Sequence, residues 1–489
     1  VQRQLQNALT GELAIKSRNT GRWHWTFGAV GSYQWARNEA PVSFGKAMDD
    51  HLSQIITDHA YNGILNAMAT GIADRLTAAG MPPAKAMTAA RAAAAAAIAA
   101  AGGCHINMEM GVVPGLFHTP TLNAALYHES NISLTPRITA TLGLRYDYSH
   151  VAIDYATSAR VRMREDVMGV RLSPTITDAL AHHEADHDAQ LLPKVALTYS
   201  LGQPGNIYLA WSKGYRTGGY NYQMFSDILQ TDIRRAANKI MTDRDIPHDP
   251  SDYDRIRTTI AYHPESSHNI EAGSHLNLRQ GRLRVDLALY YLRIRNQQLS
   301  VMAANYGFGR VMTNAGRSHS LGLEAALRGS AADNHLTYAA NYGFTRAVFD
   351  TYTDTTPSGT VDYRHKSVPF IPRHTLSALT DYRFDIDPSA LLNPHHPLHL
   401  RSIVVGLNLS AQGKTYWDAR NTLRQTLYAT LGAHADADCG RLHVSLWGRN
   451  ISDTKYTVFA VQSSASGTPL TFGQLGNPFQ VGVDINYHF

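Results

Sequence analysis

Apolar and polar residues alternate one for one along much of this chain. In the final stretch, NPFQVGVDINYHF, Phe479, Val481, Val483, Ile485, Tyr487 and Phe489 are apolar, while Gln480, Gly482, Asp484, Asn486 and His488 between them are not. GRLRVDLALYYLRIRN places Leu283, Val285, Leu287, Leu289 and Tyr291 on one face and Arg284, Asp286, Ala288 and Tyr290 on the other. LTYAANYGF and RLHVSLWGRN repeat the pattern. A period of two residues predicts β-strands with two unlike faces. About fifteen such segments are predicted, near 7–17, 22–35, 118–133, 137–150, 192–203, 205–216, 266–280, 282–296, 312–329, 335–347, 370–386, 399–412, 424–437, 440–451 and 478–489.

The connections carry a second pattern. Short links (RNTGR, LTPR, LGQPGN, RQGR, GSAADNH, DADCG) alternate with long ones near 36–117, 151–191, 217–265, 297–311, 348–369, 413–423 and 452–477. DIDPSALLNPHHP (385–397) is a longer member of the short class. A sandwich has no reason to keep that rhythm. An up-and-down barrel in an outer membrane does, with tight periplasmic turns and longer loops outside. One strand face then meets lipid and the other a polar lumen, and closure pairs every backbone group. The predicted fold class is all-β, a transmembrane antiparallel β-barrel, with Val481, Val483, Ile485 and Tyr487 towards lipid and Asp484 and Asn486 towards the lumen. Single-chain bacterial barrels have an even number of strands. With fifteen, a closing pair between 7–17 and 478–489 would be parallel, so both segments are predicted to be edges that need partners from elsewhere.

One long loop has a different period. Leu52, Ile55, Ile56, Ile64, Leu65, Met68, Ile72 and Leu76 recur at helical spacing. Pro82-Pro83 opens a second stretch, AKAMTAARAAAAAAIAAA, and Gly102-Gly103 ends it. Residues 44–104 are therefore predicted to form a helical hairpin inserted in an extracellular loop, either a lid or partner-docking element or a packed ornament.

Composition narrows the class. The 489 residues are 44% hydrophobic and 17% charged, with a net charge of +5 and no Lys/Arg run, which argues against nucleic acid as a partner. No window approaches the roughly 18 consecutive apolar residues of a membrane-spanning helix. Cys104 and Cys439 are the only cysteines; one falls in an outside loop and the other at a periplasmic turn, so no bond between them is expected. The chain opens on Val1 without a visible signal peptide and reads as processed or as a piece of something longer.

Several segments resemble those of one family. ISLTPRITATLGLRYDY ends in a G-x-R-Y strand at Gly143, Arg145 and Tyr146. LLPKVALTYS is followed by IYLAWSKGYRTGGYN, with Ser212, Gly214, Tyr215, Arg216, Gly218, Gly219, Tyr220 and Asn221. TNAGRSHSLGLEAAL holds Asn314, Ala315, Gly316, Gly322 and Glu324, and WGRNISDTKY holds Arg449, Asn450, Ile451, Asp453 and Tyr456, with Phe489 last in the chain. In this order the segments resemble the barrel of TonB-dependent outer-membrane receptors. That resemblance implies an outer membrane of a Gram-negative bacterium, its lipid and the TonB complex as partners, a plug domain with a TonB box, and a barrel of about 22 strands. NALTGELAIKS resembles a mid-barrel strand, and neither plug nor TonB box is recognisable. Residues 1–489 are accordingly expected to be the C-terminal portion of such a barrel, with the plug and about seven strands supplied by an upstream segment or a second chain.

Nothing reads as a catalytic site: there is no G-x-S-x-G, Walker loop, H-E-x-x-H or C-x-x-C, and no enzyme activity or cofactor is expected. In HHEADHD (182–188), His183 and His187 would lie one turn apart on a helix, a spacing that can hold a metal. His395-His396 falls in a predicted periplasmic turn. GYRTGGYN follows an outward-running strand, so Arg216, Tyr220, Asn221 and Tyr222 are candidate ligand contacts, a guanidinium being suited to carboxylate or catecholate-type anions. Gly218-Gly219 also suits a purely structural turn. Tyr416, Trp417 and Asp418 form a second outside candidate, or part of an aromatic girdle. The function implied by the resemblance is import of a scarce large solute, a ferric siderophore or similar metal chelate, with haem, cobalamin and glycans open. The alternative is a plugless or split barrel subunit serving as a structural or interaction component of an outer-membrane assembly. A passive porin is disfavoured, because the receptor motifs would then be coincidence.

Overall fold

Fifteen long strands follow one another, each hydrogen-bonded and antiparallel to the next. The structure, a computed structural model, describes residues 3–43, 45–239, 244–246, 248–302, 310–356, 359–386, 399–463 and 470–489. The strands are β1 (Arg3–Lys16), β2 (Trp23–Glu39), β3 (Gly115–Ser133), β4 (Ile138–Val167), β5 (Thr175–Gly202), β6 (Gly205–Arg216), β7 (Glu265–Leu278) and β8 (Leu283–Arg295). They continue with β9 (Arg317–Ala331), β10 (Leu336–Thr351), β11 (His374–Asp385), β12 (Ser402–Gln412), β13 (Tyr428–Cys439), β14 (Leu442–Arg449) and β15 (Gln480–Tyr487). Three short strands, Cys104–Met110, Val170–Leu172 and Arg244–Ile246, join the same 18-stranded sheet.

The register turns the alternation into two surfaces. Tyr382, Val405, Ala435, Leu446 and Val483 are opposed across five adjacent strands and form one apolar row. One residue along, Thr337, Asp381, Gly406, His434, Trp447 and Gly482 form a mostly polar row on the opposite face. The apolar face stays uncovered: Leu9 is 71% exposed, Val483 57% and Ile485 68%. On the polar face, glycines lie beneath aromatic rings. A Cβ at Gly482 would fall 2.3 Å from the Trp447 ring, and one at Gly322 2.2 Å from the Tyr290 ring. Each ring covers a stretch of bare backbone on the strand beside it.

Among the described residues β1 pairs only with β2, and β15 only with β14. The sheet has two edges, and no parallel seam joins β1 to β15.

The long-loop end departs from the sequence reading. The connection expected at 151–191 is strand instead: β4 and β5 run on as an extended hairpin from Ile138–Val167 to Thr175–Gly202. The period of two persists there, with Ile153, Tyr155, Ala159, Val161, Met163, Ile176 and Leu180 all buried. Helices α3 (Met224–Lys239) and α4 (Pro250–Ile260) supply the opposing surface through Phe225, Leu229, Ile233, Ile256 and Ile260. This cluster, the largest apolar core among the described residues, is built from the extended parts of β4 and β5, the short strand Cys104–Met110, Phe117 and the two helices. Residues 182–188 are strand, not helix.

The helical insertion consists of α1 (Lys46–Ala78) and α2 (Pro83–Ala100). Leu52 and Ile56 pack on the loop core, whereas Ile55 is half exposed. Further along, Ala69 and Ala73 meet Ala90 and Ala94, and Leu65, Met68, Ile72 and Leu76 close around them. Two predicted strands split: 312–329 divides at Gly316 into Arg310–Asn314, paired with Gln298–Met302, and β9. Likewise 424–437 yields Arg424–Gln425, paired with Thr415–Tyr416, before β13 begins. His395-His396 lies outside the described residues.

Candidate functional site

The first candidate group follows β6. Arg216 faces Glu265 in backbone register, and its side chain is exposed. Tyr220 pairs with Ala261 in a two-residue ladder. Its hydroxyl is buried without a hydrogen-bond partner among the described residues, and burial pushes the phenol up to about 12, with Asp186 adding to the shift and Arg257 opposing it. Asn221 is committed to the scaffold. Its amide nitrogen donates to the Met312 carbonyl at 2.8 Å, and its oxygen accepts from the Met312 N–H at 2.7 Å. The Tyr222 ring packs 5.2 Å from Phe117. Of this group, Arg216 presents the open charged end.

The second group is built around a tight loop. Asp418 accepts from the N–H groups of Thr422 and Leu423 at 2.9 and 2.8 Å, and from the Thr422 hydroxyl at 2.7 Å. Trp417 stands 5.6 Å from Phe370, and its indole N–H is buried without a partner among the described residues. The Lys414 ammonium lies 5.3 Å from the Tyr416 ring. Asp418 therefore shapes the loop, and the aromatic pair is its wall.

The histidines of HHEADHD are not drawn together by a helix. Residues four apart on a strand are separated by about 13 Å. His183 Nδ1 is 2.6 Å from Asp154, and His187 stands opposite His150 across the β4–β5 ladder.

Sequence reasoning missed the pairing of the polar face. Arg145 meets Asp147 at 2.6 Å, Lys194 meets Glu129 at 2.9 Å, and His275 and Arg328 share Asp286 at 2.8 and 3.4 Å. Tyr127 donates to Glu12 and Tyr208 to Glu271, both at 2.6 Å. Alternation announced a polar wall but not which charges neighbour one another, because that depends on register. The wall is rich in donors and acceptors, with many of its charges matched in opposite-sign pairs.

A strand set with uncovered apolar outer faces, a paired polar inner face and elaborated loops at one end matches one family. Residues 105–451 fit the model of the TonB dependent receptor-like beta-barrel. This chain belongs to that family. Its strands have the same fold as the ferric yersiniabactin uptake receptor of Yersinia pestis, at 15% identity and a TM-score of 0.50, covering 100% of this chain and 62% of that one. The siderophore receptor PiuA of Acinetobacter baumannii gives 12% identity and a TM-score of 0.51, covering 99% of this chain and 64% of that one. The ferric citrate transporter FecA gives 13% and 0.51, with 99% and 62% covered. The chain thus spans somewhat less than two thirds of each of these receptors. The receptor barrel is an outer-membrane structure of Gram-negative bacteria and not an enzyme fold. Its apolar face is the lipid face, and Asp484 and Asn486 lie on the lumen side.

Proposed function

We propose that this receptor barrel imports a scarce, bulky iron chelate of the siderophore type across the outer membrane, energised through TonB. Membership of the family carries the reading. It is supported by the polar lumen wall and by the loop elaboration above it. The exposed guanidinium of Arg216 at the outer end of β6 is suited to an anionic chelate. In the same reading, the free edges of β1 and β15 pair with about seven further strands, which together with a plug come from an upstream segment or a second polypeptide. Unpaired N–H and C=O groups cannot be left facing hydrocarbon.

The test is radiolabelled iron uptake from a panel of ferric chelates in cells with and without the gene, and with and without TonB. One chelate should lose its TonB-dependent uptake when the gene is deleted. Unchanged uptake of every chelate, with no chelate bound by the purified receptor, would refute the reading. The origin of the missing strands is read separately: a closed, heat-modifiable barrel formed by residues 1–489 alone would remove the need for them.

A further inference from the structure

A second site lies outside the lumen and loop groups already described. Asp178 sits on the extended part of β5, Asp232 on α3, and His248 just before α4. One ligand atom from each lies within 4.8 Å of those from the other two. His248 Nε2 is 2.7 Å from Asp178 Oδ1 and 4.0 Å from Asp232 Oδ2. The site is enclosed: the side chains of Asp178, His248 and Asp232 are 0%, 7% and 15% exposed. A short strand, Arg244–Ile246, runs parallel to Ile176–Asp178 and leads the chain to His248.

The hydrogen bonds of the cluster are unevenly shared. Asp178 Oδ1 also accepts from the Ala179 N–H at 2.9 Å. Asp178 Oδ2 is buried and has no partner among the described residues. Asp232 uses Oδ1 on Arg235 at 3.2 Å, while its other oxygen is the one nearer His248. Asp252 Oδ2 stands 3.8 Å from His248 Nδ1 and accepts the Asp249 N–H, while Asp252 Oδ1 pairs with Arg255. Two carboxylates converge on one imidazole in an enclosed pocket, and a buried carboxylate oxygen without a partner is costly.

We propose that Asp178, Asp232 and His248 bind one divalent transition-metal cation of the zinc type, which clamps the α3–α4 loop to the β4–β5 hairpin. The donor set of one nitrogen and two carboxylate oxygens suits such an ion better than calcium or magnesium, which take oxygen throughout. Donors around four-coordinate zinc, bonded at about 2.0–2.2 Å, stand roughly 3.3 Å apart. The ion would replace the direct 2.7 Å hydrogen bond between His248 and Asp178, those two atoms moving apart and the 4.0 Å pair moving together towards that spacing. The site does not depend on what the receptor imports.

The experiment uses the full-length protein in detergent, stripped with EDTA and titrated with zinc by calorimetry, then with cobalt for its visible absorption. One equivalent should bind. Asp178→Asn, Asp232→Asn and His248→Ala should each weaken binding at least about 10-fold and lose the cobalt bands. His183→Ala should bind as the parent does. Heat-modifiable migration checks that each variant retains its barrel, and Asp232→Asn, at the partly open side of the pocket, serves if the buried variants do not fold. Absence of a stoichiometric site overturns the proposal. So does parental affinity in Asp232→Asn and His248→Ala, or equal loss in His183→Ala.

Discussion

Thr57 and Ile106 exchange two hydrogen bonds: the threonine oxygen accepts from the Ile106 N–H at 3.0 Å and donates to the Ile106 carbonyl at 3.1 Å. Ser53, one turn earlier on α1, accepts from the Met108 N–H at 2.8 Å while its hydroxyl donates to the Asp49 carbonyl, and the Asp49 carboxylate accepts the Met110 N–H at 3.2 Å. Residues spaced by four on a helix share a face, while residues spaced by two on a strand share an edge polarity. Here the two periods coincide, so α1 substitutes for a neighbouring strand along Cys104–Met110. An uncovered strand edge invites pairing with other chains. The first turns of α1, from Asp49 to Thr57, are thus bonded to the loop sheet.

Thr57→Val keeps the side-chain shape and removes both bonds. Leaving Ile106 unsatisfied should cost about 1–3 kcal/mol locally. Hydrogen exchange should speed at Ile106 and its strand neighbours while the barrel strands are unaffected. Unchanged exchange at Ile106 would show that the helix is not the strand's partner in solution.

Val483 lies on the lipid face opposite Leu446, and Asn486 on the lumen face opposite His443. Val483→Arg should destabilise the barrel by about 2–4 kcal/mol if it sits near the bilayer midplane. Asn486→Arg should be much milder. Denaturant unfolding in lipid vesicles measures both, and equal penalties would overturn the assignment of faces.

Cys104 is buried and unbonded, and burial together with the nearby Glu165 carboxylate pushes its thiol up. Cys439 is unbonded and half-buried at a turn. A thiolate-selective reagent at pH 8 should label Cys439 well before Cys104, and a non-reducing peptide map should contain no Cys104–Cys439 bridge. Faster labelling of Cys104 would place it outside the loop core.

Glu165 is 4% exposed, one of its oxygens has no partner among the described residues, and burial pushes its carboxyl up. A raised carboxyl favours the protonated folded form. Its contribution to stability is therefore complete below the ordinary value of 4.5 and lost as pH rises through the folded value. Glu165→Gln should stabilise the loop core at pH 7.5, and the gain should vanish towards pH 4. Proteolysis of the loops across that range reads it; a gain independent of pH would mean that charge burial is not the cause.

Asn221→Ala leaves both the N–H and the carbonyl of Met312 unpaired and should loosen the loop that carries Arg310–Asn314, at about 1–3 kcal/mol. If chelate binding falls while proteolytic resistance of that loop is unchanged, Asn221 is a ligand contact rather than a brace.

The sequence by itself determined the strands, their two faces and the alternation of short and long links, because each is a local period that backbone geometry imposes within a few residues. It marked the helical insertion through the spacing of Leu52, Ile56, Leu65 and Ile72, whereas α3 and α4 lie in a stretch that reads only as a long link. Tertiary structure decided the rest. The extension of β4 and β5 to Val167 and Thr175 depends on α3 and α4 covering Ile153, Tyr155 and Leu180, residues that read as loop until a partner surface exists. Asp178, Asp232 and His248 carry no local signal, being brought together only when the loop folds back on the hairpin. Asn221 and Asp418 are candidate ligand contacts in the sequence because they are polar and lie beyond strand ends. Which oxygen or amide is already committed to Met312 or Thr422 is a question of register and packing, and no period along the chain encodes it.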